Sequence, residues 1–201
     1  MIQFLHVFKK IGDKILFSDL CYQFPDTGLF VIQGDNATGK TTLFHMMMGC
    51  DKAYQGKLLI QGKDIKTFSC AYLQKFRQEA IVYFKSQDNL IESLTLKENL
   101  DFFHIDSSID DFSSFDLSCY PSTLSGGEEL VFLLKALTHM KKQIILLDEC
   151  SSNLDENHFS ILQNKLQELA KTSLVILATH DNRMFPGIKI SLHDKRLFDQ
   201  K

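Results

Sequence analysis

Residues Gly34 to Thr42 read Gly-Asp-Asn-Ala-Thr-Gly-Lys-Thr-Thr, the spacing G-x-x-x-x-G-K-[ST]. Glycines at those places let backbone N–H groups turn inward on phosphate oxygens, and the N-terminus of a following helix adds positive potential. Lys40 is spaced to reach β- and γ-phosphates, and the Thr41 hydroxyl to ligate Mg²⁺. A second candidate lies downstream, where four apolar residues, Ile144 to Leu147, run into Asp148-Glu149. A strand ending in a carboxylate beside the glycine-loop strand suits Asp148 to hold Mg²⁺, with Glu149 next to it to polarise a water. A third is Leu124-Ser125-Gly126-Gly127-Glu128, two glycines opening an apolar-rich helix and hence a second anion-binding helix end. One phosphate chain does not easily use two distant helix ends of one subunit, so this spacing predicts a dimer in which one protomer caps nucleotide held by the other.

These residues need elements to hold them. Leu29-Phe30-Val31-Ile32 suits a buried strand before the glycine loop, and Leu43 to Met48 a helix ending near Gly49. Strand, glycine loop and helix is the context the phosphate motif requires. Upstream, Phe4–Val7, Lys14–Phe17 and Leu20–Phe24 read as short strands, with turns at Ile11-Gly12-Asp13 and Pro25-Asp26. Further strands are expected over 56–62, 80–84, 143–147 and 173–178, with a closing hairpin over 188–198. Helices are expected over 69–77, from Thr95, from Gly126 to about Met140, and over 156–171. The last has Phe159, Leu162, Leu166 and Leu169 on one face. Thr95-Leu96-Lys97-Glu98 has the spacing of a capping box. The stretch 106–123, rich in Ser and Asp, reads as surface loop or short helix. Strands alternating with helices predict a mainly parallel α/β sheet, with the helical stretch 88–140 inserted.

The chain has 201 residues, enough for one substantial domain, and 44% apolar content to fill a core. Basic and acidic residues number 22 and 25, for a net charge of −3. That balance disfavours a nucleic-acid partner, which needs a basic stripe. No apolar run reaches transmembrane length, and residues 1–10 lack the apolar stretch of a secretory signal. Five scattered cysteines, none in C-x-x-C spacing, suit a reducing cytosolic compartment and free thiols.

Taken together, the motifs resemble the ATP-binding-cassette ATPase family across nearly the whole chain, from about Ile2 to Phe198. Leu124 to Glu128 resembles that family's L-S-G-G-Q signature, and Gln87 stands where its Q-loop lies. Ser151-Ser152-Asn153-Leu154-Asp155 resembles its D-loop, and Ala178-Thr179-His180-Asp181 its switch histidine. The resemblance implies a P-loop NTPase fold: a RecA-like, mainly parallel core, an N-terminal antiparallel β subdomain and an inserted helical subdomain. Residues 1–87 and 141–201 would form the core and 88–140 the helical part.

The resemblance also implies roles. Gly34, Asp35, Asn36, Ala37, Thr38, Gly39, Lys40, Thr41 and Thr42 would bind ATP, and Thr41, Gln87 and Asp148 would hold Mg²⁺. Glu149 would be the general base, with His180, Lys40 and Gln87 assisting catalysis. Ser125, Gly126 and Gly127 would bind the γ-phosphate held by the opposite subunit, and Asp155 would cross the dimer interface. Several positions depart from the family pattern. Ile11 stands where an aromatic residue usually stacks on adenine, with Phe8 and Phe17 as the alternatives, Glu128 replaces the signature glutamine, and Cys150 replaces a common proline.

The implied partners are a second ATPase subunit, identical or homologous, and a separate transmembrane permease. The implied location is cytoplasmic, peripheral on the inner face of the membrane. The Asn153-Leu154-Asp155 sequence resembles bacterial exporters of peptides, drugs and lipoproteins, which favours export over import. The alternatives are a soluble cassette ATPase acting on DNA or ribosomes and one serving cofactor assembly.

Overall fold

A computed structural model describes residues 1–151, 154–193 and 196–199. Four strands form an antiparallel sheet: β1 (Ile2–Ile11), β2 (Lys14–Phe24), β4 (Gln55–Ile60) and β5 (Lys63–Asp64), in the order β2-β1-β4-β5. The three short N-terminal runs expected from the sequence are two long strands. Register shifts between Phe4 and Val7 and again between Lys9 and Lys10 absorb the irregular spacing that made the runs look separate.

The second sheet has six strands. They are β3 (Gly28–Gln33), β6 (Ile81–Phe84), β7 (Ile144–Asp148), β8 (Leu174–Thr179), β9 (Ile188–His193) and β10 (Arg196–Asp199), in the order β10-β9-β3-β8-β7-β6. All neighbours pair parallel except β9 with β10, the expected closing hairpin. The hairpin's turn, 194–195, lies outside the described residues.

The order corrects one expectation. The carboxylate strand β7 is not beside the glycine-loop strand β3, because β8 lies between them. Asp148 nevertheless meets the loop, because helix α1 (Lys40–Met47) leaves the end of β3 and packs against β7.

Strands β7 and β8 are buried along their whole length, which is why they read as unbroken apolar runs. Their side chains alternate between two cores. Phe30, Ile32, Ile144, Leu146, Ile176 and Ala178 face the cluster shared with α1 and the antiparallel sheet. Leu29, Val31, Ile145, Leu147, Val175 and Leu177 face the other side. There they meet three helices: α3 (Leu96–Phe102), α4 (Gly126–Met140) and α5 (Glu156–Leu169). The four periodic residues of α5, Phe159, Leu162, Leu166 and Leu169, are all buried here.

Helix α2 (Cys70–Glu79) starts at its Ser69 cap, and α3 starts at the Thr95–Glu98 capping box with both reciprocal bonds made. Between α3 and α4 the chain makes only short 3₁₀ turns at Asp110–Phe112 and Pro121–Thr123. Asn99 is fully buried and was not singled out by its sequence context. Its carboxamide takes the Ile91 amide at 2.8 Å and donates to the carbonyls of Ile91, Leu94 and Thr95. A buried amide is tolerated because it satisfies backbone groups that would otherwise be orphaned. It thereby ties the loop before α3 to that helix.

Candidate nucleotide site

The backbone of the glycine loop has a shape that suits an anion. Ala37 and Gly39 have φ of 60° and 111°, left-handed values that turn successive N–H groups to one side. A side chain at Gly39 would also press on the Phe17 ring, at 3.1 Å. Gly39 caps α1 with no side-chain bond, so the helix's first amides lack a competing side-chain acceptor at the cap. Lys14, reaching from the β1–β2 hairpin, donates to the Ala37 carbonyl at 2.8 Å and steadies the loop.

Lys40 is almost wholly buried. Its ammonium donates to the carbonyls of Gly34 at 2.6 Å and Asp35 at 3.1 Å, and lies 3.2 Å from Glu149 Oε1. The other Glu149 oxygen, Oε2, meets His180 Nδ1 at 2.6 Å and accepts the His180 amide at 3.1 Å. The backbone of Glu149 sits at φ 59°, which aims its carboxylate back between the two.

Thr41 Oγ1 donates to Asp148 Oδ2 at 2.6 Å, and the Tyr83 hydroxyl donates to the same oxygen at 3.0 Å. Burial and then the Asp148 charge push the Tyr83 phenol well above its ordinary value, so it stays protonated as a donor. Asp148 Oδ1 is buried with no hydrogen-bond partner. An orphaned buried carboxylate oxygen next to a threonine hydroxyl is a donor set suited to a hard divalent cation, so these residues fit Mg²⁺.

Most of the expected site residues fall into two cavities, while Gly34, Asp35 and Asp148 line neither. Ile11, Asn36 to Thr42 and Glu149 line one of about 360 Å³. Gln87, Ser125, Gly126, Gly127, Asp155, His180 and again Glu149 line one of about 630 Å³. Glu149 is the wall between them. Ile11 is 55% exposed at the lip of the first, and Gln87 sits on the exposed rim of the second, away from Thr41.

The signature turn already holds a carboxylate of its own. Glu128 Oε2 accepts the Ser125 amide and hydroxyl, each at 2.8 Å, while Ser125 Oγ accepts the Glu128 amide. The substituted residue thus closes a capping box on α4, and the Ser125 bonds hold its pKa low. Asp155 caps α5 in the same way, taking the His158 amide at 2.8 Å, and is likewise held below the ordinary range by that amide and the His158 ring. The His158 ring in turn fills the space over Gly127, where an added Cβ would lie 2.4 Å from Nε2. Ser152 and Asn153 of the D-loop lie outside the described residues.

Two further residues went unnoticed in the sequence, and a third, Cys150, stood out there only as a departure from the family's proline. Tyr83 is the first. Arg183 is the second: its guanidinium donates to the Ser151 carbonyl at 2.9 Å, the Leu154 carbonyl at 3.0 Å and the Asp181 carboxylate at 2.7 Å. It also stacks 3.9 Å over Phe159. It ties the segment after Glu149 to the segment after His180. Burial works to raise the Asp181 pKa, but the Arg183 bonds and charge outweigh it and leave it lowered. Cys150 is the third: burial, with Asp148 beside it, pushes its thiol up to about 12, and it donates to the Lys85 carbonyl at 3.2 Å. The sequence carries a local signal for Arg183 in its i+2 spacing from Asp181, and none for Tyr83.

A glycine loop opening a helix, a buried carboxylate at the end of a parallel strand and a polarising acid beside it define a P-loop nucleotide hydrolase. Residues 17–152 match the family model described as ABC transporter. The chain belongs to the ABC transporter family of ATPases. A putative ABC transporter ATP-binding protein of Methanothermobacter marburgensis is 30% identical over 168 residues, which is 76% of this chain but only 60% of that relative. The lipoprotein-releasing system ATP-binding protein LolD of Buchnera aphidicola is 26% identical over 200 residues, 90% of this chain and 87% of its own. The post-hydrolysis dimer of the ATP-binding cassette MJ0796, bound to ADP and Pi, superposes with a TM-score of 0.82 at 22% identity, covering 100% of this chain and 98% of that one. At that identity the likeness establishes the fold.

Proposed function

We propose that the chain is the ATP-hydrolysing subunit of a membrane transporter, pairing with a second ATPase subunit on ATP and driving a separate transmembrane permease, in the direction of export. The observation that carries hydrolysis is the convergence on Glu149 of the loop lysine and of His180, with Thr41 and Asp148 joined alongside.

The residues divide the work as follows. Lys40 exchanges its bonds to the Gly34 and Asp35 carbonyls for phosphate oxygens, and the amides of Asn36 to Thr42 cradle the same anion. Thr41 and Asp148 would hold Mg²⁺, and Gln87 would join them on moving in from the rim of the larger cavity. The chemistry that Mg²⁺ would supply there is neutralisation of phosphate charge. Glu149, once released from Lys40, takes a proton from water, and His180 orients it. Ile11 borders the base, where its side chain offers apolar contact in place of a stacked ring.

Support for pairing comes from the separation of the two cavities. Ser125, Gly126 and Gly127 line a different cavity from the glycine loop, which suits a turn that serves a partner's nucleotide. Asp155 stands in the same cavity, where it would meet that partner. Support for a separate permease comes from the family and from the absence, among the described residues, of any helix long and apolar enough to cross a membrane. Paired with such a permease, the chain would sit at the cytoplasmic, inner face of the membrane. Export rests on the resemblance of Asn153-Leu154-Asp155 to exporter cassettes, and a relative named for lipoprotein release agrees with it.

The test is a size measurement of the Glu149→Gln chain with MgATP, alone and with membrane extract. A paired species and a co-purifying polytopic membrane protein are expected. A variant that stays monomeric in both settings, or a parent chain whose ATP turnover is stimulated by DNA or ribosomes, would overturn the transport reading.

A further inference from the structure

On the antiparallel sheet, apart from both cavities, three side chains have the atom types and spacing of a metal site. The β1–β2 register shifts between Phe4 and Val7, and the β1–β4 register shifts over the same stretch, between Leu5 and Phe8. His6 stands within both irregularities at φ 49°, and Asp19 on β2 is at φ 100°. Behind the bulge, β4 passes so close that a Cβ on Gly56 would lie 2.3 Å from the His6 carbonyl oxygen. The distortion is therefore locked into packed backbone. Bulges re-aim side chains, and this one turns His6 onto the exposed surface that carries Asp19 and Cys21.

We propose that His6, Asp19 and Cys21 bind a zinc-class divalent cation through Nδ1, Oδ1 and Sγ. His6 Nδ1 lies 2.7 Å from Asp19 Oδ1 and 3.5 Å from Cys21 Sγ, and Sγ lies 3.9 Å from Oδ1. Tetrahedral zinc with ordinary bond lengths sets N···S and O···S edges of about 3.5 Å and an N···O edge of about 3.4 Å. The N···S edge already has that value, and the O···S edge closes by about 0.4 Å. The third is a hydrogen bond, and it opens by about 0.7 Å as the cation replaces the shared proton. Binding releases the thiol proton to solvent and shifts the imidazole to the tautomer with its proton on Nε2, and no electrons move.

The ligand set selects the ion. A thiolate with an imidazole favours zinc-class ions over Mg²⁺ or Ca²⁺, so this site does not duplicate the one at Thr41 and Asp148. The His6 amide donates to Cys21 Sγ at 3.2 Å, an outer bond that supports a metal thiolate. Three protein ligands leave the fourth tetrahedral position to water, the pattern of an exchangeable site. A cysteine nucleophile activated by histidine does not fit, because sulfur and carboxylate both face Nδ1 and not opposite ring nitrogens.

The test is titration of the reduced, metal-free full chain with Co²⁺, without nucleotide. One equivalent should produce a thiolate-to-cobalt charge-transfer band that Zn²⁺ bleaches and excess Mg²⁺ does not. Cys21→Ser should abolish the band, and His6→Ala should weaken binding by at least about 10–100-fold. The double variant Cys50→Ser/Cys70→Ser should keep it. Metal-free thermal melts check that the variants fold, and if Cys21→Ser does not, Asp19→Asn decides by the same affinity readout. A parent chain with no band, or a band that survives Cys21→Ser or is unweakened in Asp19→Asn, sinks the proposal. Loss of ATPase activity in any of these proteins does not bear on it.

Discussion

His180 Nδ1 and Glu149 Oε2 lie 2.6 Å apart although 31 positions separate them in the chain. The opposite oxygen of the same carboxylate faces Lys40 at 3.2 Å. One acid therefore joins the phosphate lysine to the histidine after β8. Glu149→Gln should lower ATP turnover by roughly 10²–10⁴-fold, the range for a lost general base. Nucleotide binding should persist or tighten, since Lys40 loses a competing anion. Equal turnover in parent and variant, measured by phosphate release, would remove Glu149 from the chemistry.

Asp148 presents one oxygen to Thr41 and Tyr83 and leaves the other buried and unbonded. Asp148→Asn should abolish Mg²⁺-dependent turnover while leaving metal-free nucleotide binding in place. Tyr83→Phe deletes one donor to a charged acceptor, a bond of about 1.5–3 kcal/mol, and should raise the Mg²⁺ concentration needed for half activity only modestly. Mg²⁺ titration of both variants separates the two effects.

Gly127 lies under the His158 ring with no room for a methyl group. Gly127→Ala should destabilise the chain by about 1–3 kcal/mol through overpacking. In a His158→Ala background the same change should turn stabilising by up to about 1 kcal/mol, because alanine is the better helix former. Denaturant unfolding of the four proteins closes the cycle, and additive effects would refute the contact.

Glu128 replaces the family's glutamine and caps α4 through Ser125. Its pKa is held below the ordinary 4.5 by the Ser125 amide first and the Ser125 hydroxyl second. A group with a lowered folded pKa contributes stability in full above its unfolded value, and loses it as pH falls through the folded one. Glu128→Gln should therefore cost stability at neutral pH and flatten the acid limb of the melting profile below about pH 5. Because the carboxylate no longer occupies the turn, nucleotide-dependent pairing should strengthen. Weaker pairing in the variant would contradict this account.

Ile11 stands exposed at the lip of the glycine-loop cavity. Ile11→Phe should tighten ATP binding by about 1 kcal/mol, roughly fivefold, if an aromatic ring there stacks on the base. An unchanged dissociation constant from fluorescent-nucleotide displacement would place the base elsewhere.

The sequence by itself determined the glycine loop, the alternating strands and helices, and the caps of α3 and α4. Each of these depends on residues within a few positions of one another: φ freedom at Gly39, the four-residue box at Ser125, the apolar period of α5. Tertiary structure alone decided that β8 separates β3 from β7, that Glu149 walls two cavities, and that Tyr83 and Arg183 brace the site. Such contacts join residues far apart in the chain, 29 positions for Arg183 to the Leu154 carbonyl and 65 for Tyr83 to Asp148. Strand order and crossover packing set them, and a local pattern of hydrophobicity carries no record of which strand lies beside which.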